Sequence, residues 1–160
     1  MIRYAELSDL DVITGLYDTG RAYMRSTGNL TQWVNGYPAK ELLEDDISKK
    51  QLYVSYDEKS IYAVFAFITG KDHTYQYIEG GKWKDDTSEY GTIHRIASDG
   101  QHKGVLKEVT DWAWEKVQNL RADTHADNKT MQPCLEKNGF EYCGVIYIDD
   151  GTPRVAYQKV

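Results

Sequence analysis

Twice in this chain a strand-like run passes through a short turn straight into an amphipathic helix, at 93–106 and again at 120–138. The helix expected over 104–119 carries Val105, Val109, Trp112, Ala113 and Val117 on one face, and it joins a strand over 91–97 to a strand over 120–126. A β-α-β crossover of this kind requires parallel strands within a sheet. The flanking segments are of the opposite kind. Leu52, Val54 and Tyr56 alternate, and Asp57-Glu58-Lys59-Ser60 turns into Ile61 to Ile68, an almost unbroken apolar run that reads as a central strand. Two last strands, near 140–148 and 154–159, are joined by Asp150-Gly151, a hairpin turn.

The first third supplies a short strand over 2–5 and two helices. Ser8 with Asp11 reads as the capping pair of the first, whose buried stripe is Leu10, Ile13, Tyr17, Gly20 and Met24, and which ends near Gly28. Pro38 is placed as the first residue of the second, with Ala39, Leu43 and Ile47 as its buried face. The helix over 128–138 stops at Gly139, a left-handed C′ residue against which Phe140 packs. The order β-α-α-β-β-β-α-β-α-β-β predicts an α/β (mixed α+β) fold, a mostly antiparallel sheet of about seven strands flanked by four helices. Nothing Pro/Gly-rich or repetitive divides the chain, so one domain over 1–160 is expected.

Bulk properties narrow the function classes. Hydrophobic residues are 41% and charged residues 28%, the balance of a globular protein. A net charge of −6 argues against nucleic acid or an anionic membrane as partner. No apolar run reaches the roughly 20 residues a spanning helix needs, and Met1-Ile2-Arg3-Tyr4-Ala5-Glu6 opens no signal peptide, so the expected compartment is the cytoplasm. There, Cys134 and Cys143 read as two free thiols, their spacing fitting neither a zinc knuckle nor a redox pair.

The chemistry lies in the two turns. A helix start leaves backbone N–H groups unpaired and carries a partial positive charge, so it can hold an anion such as pyrophosphate. In Ser98-Asp99-Gly100-Gln101-His102-Lys103-Gly104-Val105-Leu106, Gly104 admits a ligand where a β-carbon would intrude, and Lys103 and Lys107 add charge. The second turn runs from Asn128 to Leu135-Glu136-Lys137-Asn138-Gly139-Phe140. Together the two resemble the GNAT N-acetyltransferase family. Gln101-x-x-Gly104 matches the start of its (Gln/Arg)-x-x-Gly-x-(Gly/Ala) pyrophosphate loop, and the later block matches its Asn-then-(Tyr/Leu)-Glu-Lys-x-Gly-Phe pattern. The order of elements follows the family over nearly the whole chain.

The resemblance implies a splayed central strand pair holding acetyl-CoA as cosubstrate. The pantetheine arm would lie along Ile96, Ala97 and Ser98. The N–H groups of His102, Lys103, Gly104, Val105 and Leu106 would face the pyrophosphate, and Asn128, with Met131, would hold the arm from the other side. The helical spacing of Met131 also reads as core. An acceptor amine would attack the thioester directly, with a backbone N–H near His94 or Arg95 as oxyanion donor.

Two positions depart from the family pattern: Leu106 replaces the loop's last small residue, and Leu135 stands where a tyrosine general acid is frequent. Cys134, Tyr142, Tyr147 or water are the alternatives for that acid. His94 is the candidate base by intrinsic pKa and by its strand, ahead of Tyr90 or Glu89. Trp33, Tyr37, Tyr75, Trp83 and Tyr90, with Tyr77 nearby, lie in irregular segments, where aromatics often serve loop packing; the resemblance implies that these segments line the acceptor pocket, for a small-molecule or amino-acid-like primary amine. In Arg121-x-Asp123-x-His125-x-Asp127 no metal is expected: Asp127 reads as a helix cap and Asp123 as the partner of Arg121 or Arg95. A homodimer through the last strands is an option the family suggests. The alternative to an enzyme is a non-catalytic acyl-CoA-binding sensor of the same fold, favoured by Leu135.

Overall fold

A computed structural model describes all 160 residues. Its elements are β1 (Ile2–Tyr4), α1 (Leu10–Ser26), α2 (Lys40–Ser48), β2 (Leu52–Tyr56), β3 (Ile61–Thr69), β4 (Gly91–Ser98), α3 (Val105–Trp114), β5 (Leu120–Thr124), α4 (Met131–Lys137), β6 (Glu141–Tyr147) and β7 (Pro153–Lys159). The seven strands form a sheet in the order β1-β2-β3-β4-β5-β7-β6. β1 with β2, β2 with β3, β5 with β7 and β6 with β7 are antiparallel. β4 and β5, joined through α3, are parallel, and their registered pairs are Gly91↔Leu120 and Thr92↔Arg121, the first two residues of each strand. The mixed, mostly antiparallel architecture is therefore the expected one.

The chain divides into two compact units, Met1–Phe67 with Ile93–Val105, and Ile68–Thr92 with Leu106–Val160. In the first, α1 and α2 bury Ile13, Leu16, Tyr17 and Leu43 against Leu52, Val54, Val64, Ala66 and Ala97 of the strands. Leu16 belongs to that stripe although the helical spacing read from the sequence passed it over. In the second, Tyr75, Trp83, Tyr90, Cys143, Ile146 and Ala156 form the core. There, Gly81 and Gly144 let the segment before β4 press onto β6, where Glu79 and Val145 exchange backbone hydrogen bonds of 2.9 and 2.8 Å. That bridge occupies part of the free edge of the outermost strand.

Several boundaries differ from expectation for local reasons. The capping box is Glu6 with Asp9, not Ser8 with Asp11. Asp9 also takes two hydrogen bonds from Arg3, which ties β1 to the helix entrance. Pro38 does not open α2: Ala39 is extended (φ −76°, ψ 155°) and serves as N-cap, so helical geometry begins at Lys40. α3 stops at Trp114, whose carbonyl accepts from the Gln118 side chain. α4 starts at Met131 because 129–130 form a turn, and Asn128 Oδ1 accepts the Met131 N–H at 3.0 Å. Asn128, not Asp127, is thus the capping side chain. The end of α4 follows the expected pattern: Gly139 (φ 89°) donates to Glu136 O and Phe140 to Leu135 O, the paired bonds of a Schellman ending.

Candidate functional site

In the first unit β4 does not run straight. Arg95 has φ 51°, a left-handed conformation an arginine adopts only when its surroundings impose it. Three groups do so. Its carbonyl accepts the Tyr17 hydroxyl at 2.7 Å, its guanidinium donates to Asp46 Oδ2 at 2.7 Å, and Tyr37 Oη lies 3.4 Å from Nη1. Asp46 is buried and also accepts from the Gln51 amide at 2.8 Å. Burial drives the Tyr17 phenol far above its ordinary pKa, so it stays a neutral donor. Trp33 packs edge-on against Tyr17, its ring meeting Gly20. Arg25 anchors the loop through Asn29 O and Trp33 O, and Arg21 through Tyr37 O. Trp33 and Tyr37 are thus held beside Arg95. His94 is half-buried on the same strand, Ile96 and Ser98 are half-buried, and Ala97 faces α1 in the core.

The turn after β4 is organised by Asp99. Its Oδ1 accepts the N–H groups of Gln101 (2.8 Å) and His102 (3.0 Å), and its Oδ2 meets His102 Nδ1 at 2.8 Å. The other ring nitrogen of His102 lies 3.1 Å from Asp57 Oδ2 on the β2–β3 hairpin, and the ring stacks on Tyr62 at 4.0 Å. Hydrogen bonds to Asp57 and then Asp99 raise the His102 pKa, while that of Asp57 falls to about 2. The His102 N–H, expected to face a pyrophosphate, is therefore already donated to a carboxylate. An open cleft of about 600 Å³ lies alongside, walled by Tyr56, Asp57, Tyr62 and His102. Gly104 takes φ 73°, which a side chain would strain. Val105 then opens α3, a helix whose first N–H groups have no partner within it. Leu106 is buried, so its side chain is turned into the protein.

In the second unit the aromatic residues form an enclosed group rather than a lining. Tyr75, Trp83 and Tyr90 are buried, and the last two sandwich the Arg121 guanidinium at 3.9 and 3.8 Å. Arg121 pairs with Asp86 at 3.0 Å. Asp123 pairs with neither arginine that the sequence suggested: its Oδ2 accepts the Tyr75 hydroxyl at 2.6 Å. His125 Nδ1 accepts the Asp127 N–H at 3.0 Å, so that hydrogen bond places the ring proton of the neutral form on Nε2. No group of three or more His, Cys, Asp or Glu side chains is arranged to hold a metal ion.

Leu135, at the position where the family's acid is frequent, is buried; of the candidate acids, Cys134 is half-buried with its thiol pKa raised by desolvation. Tyr147 donates to Glu79 at 3.2 Å, a bond that raises its pKa and makes it a poorer acid. Tyr142 is exposed against Tyr157. Both tyrosines stand on β6, which β7 separates from β5. Met131 is half-buried at the start of α4.

An acetyltransferase of the GNAT family from Streptococcus agalactiae 2603 is 35% identical to this chain, with 100% of this chain and 94% of that one covered and a TM-score of 0.91. The chain belongs to the GNAT family of acetyltransferases. A putative acetyltransferase from Staphylococcus aureus Mu50 is 26% identical, covering 99% and 97%, with a TM-score of 0.70. A Bacillus subtilis acetyltransferase in complex with CoA shares the fold at 14% identity, covering 99% and 96%, with a TM-score of 0.60. No family model and no curated protein matches the chain. In this GNAT chain no helix is long and apolar enough to cross a membrane.

Proposed function

We propose that this protein transfers the acetyl group of acetyl-CoA to the primary amine of a small-molecule or amino-acid-like acceptor, by direct attack and without an acetyl-enzyme. The reading is carried by the turn at Asp99–Gly104. Asp99 consumes the Gln101 and His102 N–H groups to shape it. The Lys103, Gly104, Val105 and Leu106 N–H groups are the ones assigned to the pyrophosphate, at a helix start whose partial charge favours an anion. The acetyltransferase from Bacillus subtilis, of the same fold, is known in complex with CoA. The Asn128 turn is assigned to the pantetheine arm, with its Oδ1 already fixed by the Met131 N–H.

Direct attack needs a neutral amine, a hydrogen-bond donor at the carbonyl oxygen and a proton for the departing sulfur. The bend at Arg95 supports a backbone N–H as that donor, because it takes β4 out of regular pairing geometry at one residue. Leu135 supports a second reading, an acyl-CoA-binding module without turnover, since its buried side chain has no proton to give. One experiment separates them: titration with acetyl-CoA, then release of free thiol across a panel of primary amines. Thiol release dependent on an amine is expected. Binding without release for every amine supports the module, and no binding overturns both.

A further inference from the structure

We propose that one edge of the Arg154 guanidinium is a carboxylate-binding site, where the end of β5 meets the start of β7, suited to a small ligand with a single negative charge. A buried charge ordinarily meets an opposite charge or a full set of hydrogen bonds. Two other deeply placed arginines follow that rule: Arg95 pairs with Asp46, and Arg121 with Asp86. Arg154 does not, although it is only 8% exposed. Its Nη1 donates to two neutral oxygens, Thr152 Oγ1 at 3.1 Å and Pro153 O at 2.7 Å, and no aspartate or glutamate joins it in an ion pair.

Both of those bonds use one nitrogen. Nε and Nη2 donate to no protein atom, and both keep contact with solvent. Their N–H groups lie side by side along one edge of the guanidinium, the arrangement that grips both oxygens of a carboxylate. The strands hold that edge in place. Arg154 is registered with Ile146 of β6, which is buried, so apolar surface supports its stem. On the other side Thr124 of β5 pairs with Val155, and one step further in that register His125 stands opposite Arg154. His125 Nδ1 takes the Asp127 N–H, while burial and then the Arg154 charge lower the ring's pKa. The pair therefore presents one positive charge, not two.

The carboxylates nearby limit what that charge can accept. Asp150 accepts the Thr152 hydroxyl, and the bonds from Thr152, then the Arg154 charge, hold its carboxyl below the usual range. Asp123, on the same face of β5 as His125, accepts the Tyr75 hydroxyl. One added negative charge is offset by the guanidinium, whereas a second would face Asp123, Asp127 and Asp150 with nothing left to offset it. A monocarboxylate fits and a phosphate dianion does not. His125 O also accepts the Asn128 N–H at 2.9 Å, so the site adjoins the turn assigned to the pantetheine arm, within the second unit. The carboxylate is therefore either the acceptor's own or that of a separate small acid.

The test is an NMR titration of the isotope-labelled protein, without acetyl-CoA and at constant ionic strength, with propionate, its neutral counterpart propionamide, and inorganic phosphate. Propionate is expected to shift the Arg154 Nε–H resonance saturably and to raise the His125 pKa, because the bound anion offsets the Arg154 charge. Propionamide and phosphate are expected to do neither. Arg154→Lys keeps the charge but loses the paired N–H groups, and should weaken propionate binding about 10-fold. Arg154→Gln should abolish it. A propionate response that does not saturate, that propionamide or phosphate matches, or that Arg154→Gln retains would overturn the proposal. If Arg154→Gln does not fold, Arg154→Lys and the comparison of propionate with propionamide decide. Thiol release then assigns the source, with an amino acid and its amide compared as acceptors of Arg154→Lys. A rise in KM confined to the acid makes the bound carboxylate the acceptor's own, and equal changes make it a separate ligand's. The titration itself involves no acetyl-CoA, so failure of the acetyl-transfer reading leaves the site to be decided by propionate alone.

Discussion

The Tyr17 hydroxyl donates to the Arg95 carbonyl at 2.7 Å, binding α1 to the only residue of β4 with a positive φ. A left-handed non-glycine residue costs about 1–3 kcal/mol and persists only where its surroundings hold it. Tyr17→Phe keeps the buried ring and removes that hold, leaving the carbonyl without its donor. We expect destabilisation of about 1–3 kcal/mol, read as a lower urea midpoint at unchanged m-value. An unchanged midpoint would mean that the bend is maintained by other contacts.

The second hold is electrostatic. Asp46 is 1% exposed, and its charge is met by Arg95 and the Gln51 amide. Arg95→Met strands a buried carboxylate, a change that costs about 3–5 kcal/mol. Adding Asp46→Asn removes the stranded charge, so the double variant should be more stable than Arg95→Met alone. Chemical denaturation of the native protein, Arg95→Met, Asp46→Asn and the double variant provides the check. An additive double variant would show that the two side chains are not coupled.

His102 lies between Asp57 and Asp99, and both raise its pKa. A pKa raised on folding stabilises the protein fully below the unfolded value near 6.5, and the contribution is lost as pH rises through the higher folded value. The stability difference between the native protein and His102→Gln should therefore shrink as pH climbs through that range. Asp57 acts in the opposite direction: its contribution holds above the ordinary carboxylate range and disappears as pH falls toward about 2. An NMR titration of the His102 ring reads the shift directly, and an ordinary histidine value would remove the basis for it.

What the sequence made legible was local. The Asp150-Gly151 hairpin, the Gly139 helix ending and the apolar run of β3 each depend on residues within a few positions of one another. The first helix cap lies two residues before the expected pair: Glu6-x-x-Asp9 has the same spacing as Ser8-x-x-Asp11, and Arg3, which lies outside that spacing, grips Asp9. The candidate site depended on longer reaches. Tyr75 and Asp123 are 48 residues apart, and Arg95 and Asp46 are 49, so no spacing rule joins either pair. Alternation on β5 indicated that Arg121 and Asp123 share a face, and from that an ion pair was the natural inference. The aromatic sandwich around Arg121 instead withdrew the guanidinium and left the carboxylate to a phenol.

Two glycines should respond to alanine in opposite ways. A β-carbon at Gly81 would sit 2.0 Å from the Cys143 carbonyl oxygen, a backbone atom that cannot step aside. Gly81→Ala should push the segment before β4 off the β6 edge and cost about 1–3 kcal/mol or more. Gly15, within α1, has nothing within 4 Å of the same position, so Gly15→Ala should stabilise by about 0.5–1 kcal/mol. Thermal unfolding of the pair measures both, and equal effects would mean that the packing at Gly81 is more yielding than its geometry implies.

Asp99 places an acidic side chain within a turn assigned to an anion. Its negative charge alone would oppose a pyrophosphate, yet it accepts two N–H groups from that turn, and His102 meets its second oxygen. The turn's shape and its charge therefore act in opposite directions. Each of the two backbone bonds contributes about 0.5–1.5 kcal/mol, and their loss would leave Gly100 and Gly104, both at positive φ, free to explore other conformations. The repulsion is smaller, because Asp99 is neutralised by the neighbouring imidazole when that ring is protonated. Asp99→Ala should accordingly weaken CoA binding, by roughly 10-fold if about 1.4 kcal/mol of preorganisation is lost. Asp99→Asn keeps an acceptor oxygen for the N–H groups and should lose less. Calorimetric titration with CoA distinguishes the cases, and tighter binding by both variants would show that charge, not shape, governs this turn.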